Sequence, residues 1–201
     1  MRAPVHDLHA SHLLTYASLA CGVLAIAAAH SQGAAAPHLA GAFVAAAALS
    51  DTLDGRFARR FPRTPRDAAI GGHLDSLVDA CVFGLAPIAI LAAVSPPPEG
   101  LLFTAWWLAA VVYAVCAVTR LASFNVADDA RTFVGVPTPA AALVWSTVLA
   151  AGPTPAVTVS VFLALGLAMV MPVAIPRPRG AALMLFGAWA VALVGWHLRG
   201  L

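Results

Sequence analysis

Apolar runs long enough to cross a bilayer follow one another along almost the whole chain, and that pattern leaves few folds open. A hydrocarbon core about 30 Å thick needs roughly 20 apolar residues in a helix. Such runs fall at 12–29, 38–60, 69–94, 101–123, 155–174 and 181–198, with a shorter seventh at 137–151 that begins after Pro137. Proline and glycine separate them: Gly33 with Pro37, the Pro62–Pro65 stretch, Ser95 with Pro96 to Pro98, Gly152-Pro153, and Pro176 with Pro178. Each is a helix-ending signal. Of 201 residues, 61% are hydrophobic and 10% are charged, against about a quarter charged in a soluble domain. Backbone groups in lipid must be satisfied within the chain. The expected fold is therefore an all-α polytopic membrane protein of about seven transmembrane helices, forming one domain over residues 1–201.

Charge sets the expected orientation. There is no lysine, and the arginines stand at 2, 56, 59, 60, 63, 66, 120, 131, 177, 179 and 199. Seven spans with the N-terminus inside place all of them except Arg199 on the cytoplasmic side, as the positive-inside rule favours. The expectation is an integral protein of the cell (inner) membrane with a cytoplasmic N-terminus. A signal-peptide reading of the first run, which ends in Ala27-Ala28-Ala29, is the competing one. Three cysteines, Cys21, Cys81 and Cys116, lie in apolar runs and read as small buried hydrophobes rather than disulfide partners. Trp106, Trp107, Trp189 and Trp196 read as bilayer anchors and packing groups.

The acidic residues break the apolar pattern. Of nine in the chain, five lie close together: Asp51, Asp54, Asp67, Asp75 and Asp79. An ionised carboxylate at the centre of a membrane helix costs about 2.5–3.5 kcal/mol on insertion scales, so its presence marks function. Asp51 and Asp54 are three apart and share a helix face; Asp75 and Asp79 are four apart and do the same. Pro62 and Pro65 turn the chain between them, so the two helices run antiparallel and the pairs can face each other near the cytoplasmic end. Converging carboxylates suit hard divalent cations, Mg²⁺ or Mn²⁺. Two such ions about 4 Å apart would clamp a diphosphate. Gly55, Ala58, Gly71 and Gly72 remove bulk beside the pairs, and Arg56, Arg59, Arg60, Arg63 and Arg66 form a cationic rim suited to phosphate. Contact with anionic lipid is the alternative use of that rim. Asp67 reads as a solvated partner of Arg63 or Arg66, and His73 as an interfacial residue or an outer neighbour of the metal site.

The series Asp51-x-x-Asp54-Gly55-x-x-Ala58-Arg59, then Gly71-x-x-x-Asp75-x-x-x-Asp79, resembles the signature of the CDP-alcohol phosphotransferases. These membrane enzymes move a phosphatidyl or related group from a CDP-linked donor to an alcohol. The family usually has eight residues between the arginine and the glycine; here positions 60–70 intervene, a longer loop that contains both prolines. Further segments resemble the phosphatidylserine synthase branch: His12-Leu13-Leu14-Thr15, Cys21-Gly22, Leu74 to Pro87, Arg120 to Asn125 and Val134 to Ala140. The likeness covers roughly 12–175. Val82 stands where that branch usually has serine, and Ser123 where it usually has arginine.

The resemblance implies a six-helix family core, to which the last run adds an extra C-terminal helix. It implies that Asp51, Asp54, Asp75 and Asp79 bind two divalent cations holding the CDP diphosphate, and that Asp79 is the general base. Asp54, Gly55, Ala58, Arg59, Gly71 and Asp75 would receive the CDP moiety. Arg120, Asn125 and Arg63 would hold the acceptor or a lipid phosphate, with interface anchoring and helix capping as the alternative for Arg120 and Asn125. The implied donor is CDP-diacylglycerol or CDP-archaeol, the implied acceptor L-serine, and the implied assembly a homodimer among membrane lipids, with no nucleic-acid partner. Glycerol phosphate, inositol phosphate and inositol remain alternative acceptors because of Val82 and Ser123. A divalent-cation transporter is the reading from another class; it predicts polar residues through both leaflets, and the outer halves of these spans lack them.

Overall fold

The computed structural model describes residues 3–31, 33–126, 132–176 and 180–201. Two short 3-10 turns, Pro4–Asp7 and Ala10–His12, lead into α1 (Leu13–Ala29), α2 (Ala36–Ala58) and α3 (Pro65–Asp79). A π-helical turn, Ala80–Leu85, joins α3 to α4 (Ala86–Val94), so that 65–94 is one continuous rod. Then follow α5 (Leu101–Asn125), β1 (Thr132–Val134), α6 (Thr138–Ala151), α7 (Pro155–Val170), β2 (Ala174–Pro176) and α8 (Ala181–Arg199). Four stretches, Ala10–Ala29, Pro65–Val94, Leu101–Asn125 and Ala181–Arg199, are long and apolar enough to cross a membrane, while α6 and α7 are apolar but shorter. This is the polytopic helical fold expected from the apolar runs. Arg2, Arg131, Arg177 and Arg179, which entered the orientation argument, lie outside the described residues.

The helices stop where proline and glycine say they should. Thr64 caps α3 with Pro65 in its first turn; its hydroxyl accepts from the Asp67 N–H at 3.2 Å, while Asp67 Oδ2 accepts from the Thr64 N–H at 2.9 Å. That reciprocal cap satisfies two of the orphan donors at the helix start. Asp67 is thus a capping residue as well as a charged neighbour of Arg66. Arg66 donates to both carboxylate oxygens of Asp7 at 3.0 and 2.9 Å. Gly152, at φ 77°, ends α6 in the left-handed region that favours glycine.

The π turn has a local cause. Pro87 has no N–H, so the Phe83 carbonyl, four residues back, has no α-helical donor. Tyr113 Oη from α5 donates to it at 2.6 Å, and Tyr113 itself is fully buried.

α2 is the central helix, packed against α1, α6 and α8. Its buried face is Ala40, Gly41, Val44, Ala45, Ala47 and Ala48, small residues that let neighbouring backbones approach closely. A second buried cluster stacks Trp106, Tyr113, Trp145 and Phe162, with ring centroids 4.7–5.8 Å apart. Trp106 is therefore a packing residue, while Trp107, Trp189 and Trp196 keep exposed surface. On α5, Leu101, Leu108, Val111, Val115 and Val118 are exposed at helical spacing, the stripe a lipid-facing helix presents. All three cysteines are free; Cys81 is exposed and Cys21 and Cys116 are half-buried. The expectation of buried thiols is corrected, because lipid rather than protein covers an apolar side chain on the outer face of a membrane helix.

One element departs from the all-helical reading. β1 pairs antiparallel with β2, with Thr132 opposite Pro176 and Val134 opposite Ala174. The Gly135 N–H extends the ladder to Val173 O at 2.9 Å, and the Val136 N–H reaches Ala168 O at 3.0 Å. Gly135 has φ 73°, and a Cβ there would collide with the Met169 carbonyl. Two extended triplets are too short to show a period-2 pattern, so the sequence carried little signal for them. The ladder pins the residues that lead into α6.

Candidate functional site

Asp51 and Asp54 lie in the last turns of α2, and Asp75 and Asp79 at the end of α3. The α2–α3 turn brings the two helices together, as the Pro62 and Pro65 positions predict. One carboxylate oxygen each from Asp51, Asp54 and Asp75 lies within 4.8 Å of the others. Thr15 of α1 donates to Asp54 Oδ2 at 3.2 Å, which fixes that side chain.

Asp79 is held differently. It is buried, and Thr138 Oγ1 at the start of α6 donates to its Oδ2 at 2.9 Å. Arg120 Nη1 in turn donates to Thr138 Oγ1 at 3.3 Å. The other carboxylate oxygen of Asp79 meets no hydrogen-bond donor among the described residues.

Like charges so close are costly: two unit charges 4 Å apart repel by about 4 kcal/mol at an effective dielectric of 20. A cation removes that repulsion. The donors are all carboxylate oxygens, which suits a hard divalent ion rather than a soft one, and the bare oxygen of Asp79 adds a further lone pair. The residues present fit such an ion.

The four aspartates line a cavity of about 640 Å³ together with Gly55, Arg56, Arg59, Ser76 and Arg120. Phe124, Pro137, Pro139, Ile175, Leu183 and Phe186 add apolar walls. The lining thus suits a ligand that joins an anionic group to a hydrocarbon part. A Cβ on Gly55 would meet only Arg59 Nη1, at 3.8 Å, so the glycine leaves space in the cavity. A smaller cavity of about 350 Å³ between α6 and α8 is lined by Thr147, Trp189, Leu193 and Trp196 among others, with no charged side chain among the described residues of its wall.

Other residues singled out in the sequence are placed apart from the cavity lining. Ala58 is buried on α2, and Arg60, Arg63 and His73 are exposed. The space left by Gly71 is filled by His12, whose Nε2 would lie 3.1 Å from a Cβ there and 3.2 Å from Asp67 O. Asn125 accepts from Ser76 Oγ at 3.0 Å, tying the end of α5 to α3 between the second pair of aspartates.

Sequence reasoning missed Thr15, Thr138 and Tyr113 as supports of the site. Thr15 stands in the quoted His12–Thr15 segment and Thr138 between two prolines, but a threonine beside apolar helix residues has no distinguishing pattern. The signal for Tyr113 is indirect: Pro87 announces an orphan carbonyl that some buried donor must satisfy.

Comparison with known proteins agrees with this geometry. A family model described as CDP-alcohol phosphatidyltransferase matches residues 8–196. The protein named CDP-diacylglycerol–serine O-phosphatidyltransferase of Mycobacterium leprae (strain TN) is 43% identical over 117 residues, which is 53% of this chain and 36% of that protein. The protein of the same name from Mycobacterium tuberculosis (strain ATCC 25618 / H37Rv) is 40% identical over 117 residues, 53% of this chain and 38% of that protein. That of Bacillus subtilis (strain 168) is 31% identical over 135 residues, 65% of this chain and 70% of that protein. The match thus spans little more than a third of the length of the mycobacterial relatives.

Proposed function

The chain belongs to the CDP-alcohol phosphatidyltransferase family, and on that premise we propose that it transfers a phosphatidyl group from CDP-diacylglycerol (or CDP-archaeol) to L-serine and releases CMP. The observation that carries this reading is the convergence of Asp51, Asp54 and Asp75 on one point in a cavity whose wall is part cationic and part apolar. The names of the relatives support serine as the acceptor.

Asp51, Asp54, Asp75 and Asp79 would hold two divalent cations, Mg²⁺ or Mn²⁺, which when bound neutralise the donor diphosphate and stabilise the leaving oxygen. Arg59 and Arg56 face the same cavity and orient phosphate oxygens. Gly55 leaves room for the nucleotide, with Ala58 and Gly71 keeping the helices slim. Arg120 meets the serine carboxylate or a lipid phosphate, while Asn125 and Arg63 act at the cavity's edge. The serine oxygen attacks the β-phosphorus of the donor, and Asp79 takes the hydroxyl proton. As the new O–P bond forms, the bond from that phosphorus to the bridging oxygen breaks and its electron pair leaves with CMP. A carboxylate is a weak base, so positioning and charge stabilisation supply most of the rate.

The whole chain acts as one domain in this reading. It spans the membrane seven times with its N-terminus and active site on the cytoplasmic side, and it works as a homodimer. The test is CMP release by purified protein from CDP-diacylglycerol with Mg²⁺ or Mn²⁺, offered serine, glycerol 3-phosphate, inositol phosphate or inositol. Metal-dependent release with serine alone, absent in Asp79→Asn, is the expected result. Release with another acceptor corrects the substrate and keeps the chemistry; no release with any of them, from folded protein with metal bound, overturns the reading.

A further inference from the structure

Thr138 has one hydroxyl proton, and its two neighbours decide where that proton goes. Arg120 Nη1 can only donate, and it does so to Thr138 Oγ1 at 3.3 Å. The hydroxyl proton is therefore free to point at Asp79 Oδ2, 2.9 Å away. The chain of donation runs one way, from Arg120 through Thr138 to Asp79, and charge at both ends strengthens it. All three residues are buried, and Thr138 is 0% exposed.

The backbone holds Thr138 as firmly as its side chain is held. It is the first residue of α6, between Pro137 and Pro139, whose fixed φ angles stiffen the turn. Just before it, the bonds of Gly135 and Val136 to Val173 and Ala168 anchor the strand. A threonine at a helix start commonly caps its own helix; this one spends its hydroxyl on residues from α3 and α5. The result is an asymmetric carboxylate. Asp79 Oδ2 accepts from Thr138, and among the described residues Oδ1 meets no donor, while the Asp79 carboxylate stands beside that of Asp51 in the cluster.

We propose that Thr138 is a positioning residue for the transfer reaction: it fixes the rotation of the Asp79 carboxylate so that Oδ1 is presented to the acceptor hydroxyl. The inference rests on the functional reading above and adds to it a residue from α6. It differs from a packing role in its consequence. Valine has nearly the shape of threonine but no hydroxyl, so it preserves packing and releases the carboxylate. Serine keeps the hydroxyl and loses only a methyl.

The experiment compares wild type, Thr138→Val, Thr138→Ala and Thr138→Ser in detergent, reading kcat and KM for CMP release and Mn²⁺ affinity by electron paramagnetic resonance. Loss of a hydrogen bond to a charged group predicts a kcat lower by about 10- to 100-fold in Thr138→Val, with donor KM within about twofold of wild type and Mn²⁺ still bound. Thr138→Ser should recover most of kcat. Should Thr138→Val fail to fold, the same comparison is made between Thr138→Ala and Thr138→Ser. Undiminished kcat in the folded hydroxyl-free variant overturns the inference alone. So does an equal loss in Thr138→Ser, which would mark the methyl and hence packing. A wild-type protein that releases no CMP with any acceptor overturns the functional reading, and this inference with it.

Discussion

Tyr113 Oη donates to the Phe83 carbonyl at 2.6 Å, and Phe83 stands four residues before Pro87, where no N–H exists to take that carbonyl. A proline on α4 and a tyrosine on α5 are thus two halves of one hydrogen-bonding problem. The π turn between them begins at Ala80, directly after Asp79, so the register of the last site aspartate depends on how the defect is resolved. π turns inside helices often mark functional sites for this reason.

Tyr113→Phe keeps the ring against Trp145 and Phe162 but removes the side-chain donor of the Phe83 carbonyl in a buried setting. The expected loss is about 1–3 kcal/mol of stability, read as a lower thermal midpoint in detergent. An unchanged midpoint would mean that the carbonyl finds another donor when the hydroxyl is gone.

The carboxylate cluster predicts a metal-dependent stability. An ion bound only by the folded protein, at a hundred times its Kd, stabilises by about 2.7 kcal/mol. Adding Mn²⁺ to metal-stripped protein should raise the thermal midpoint, and a chelator should reverse the rise. Asp54→Asn, Asp75→Asn and Asp51→Asn should each remove most of the response, because each takes one charged oxygen from the shared point. A wild-type midpoint indifferent to Mn²⁺ and Mg²⁺ would contradict the cation site.

Much of this architecture was legible beforehand, and the reasons are physical. Bilayer thickness fixes helix length, so the apolar runs located the rods to within a few residues. Spacings of three and four placed each aspartate pair on one face, and the Pro62–Pro65 turn implied that the faces meet. What the sequence hid depends on distant contacts. Nothing local to Thr138 announces Asp79, fifty-nine positions earlier. Gly71 reads as space for a ligand, but the neighbour that fills it is His12 from the N-terminal turn. Asp67 follows Thr64 at the spacing of a capping box, and the nearby arginines drew attention from that simpler use. β1 and β2 were hidden because a three-residue ladder is held by its partner rather than by its own pattern.

Gly55 separates space for a ligand from space for packing. Gly55 lines the cavity, and a Cβ added there meets only Arg59 Nη1, at 3.8 Å, so Gly55→Leu should fold. Stability should hold or rise, since glycine in a helix interior costs about 0.8–1 kcal/mol relative to better helix formers. The same leucine occupies room the donor needs, and the KM for CDP-diacylglycerol should rise on the order of tenfold, which is about 1.4 kcal/mol of binding. A normal KM would place the nucleotide elsewhere.

Gly41 gives the opposite case. A Cβ on this α2 residue would collide with the imidazole of His197, which is 0% exposed near the end of α8. That ring is already fixed: Nε2 lies 3.1 Å from Ser146 O and 3.1 Å from Ser146 Oγ, and Nδ1 lies 3.3 Å from His38 Nδ1. A carbonyl only accepts, so Nε2 carries the proton and Nδ1 accepts from His38. The ring has no direction in which to yield. Gly41→Ala should destabilise by about 1–3 kcal/mol, the usual cost of overpacking, with a matching fall in thermal midpoint. Because α8 also lends Leu183 and Phe186 to the site cavity, the donor KM should rise in the same variant. Pairing it with His197→Ala removes the obstacle. If the clash is the cause, the double variant should be more stable than the sum of the two single losses allows; strict additivity would show that α8 docks on α2 without needing the bare backbone of Gly41.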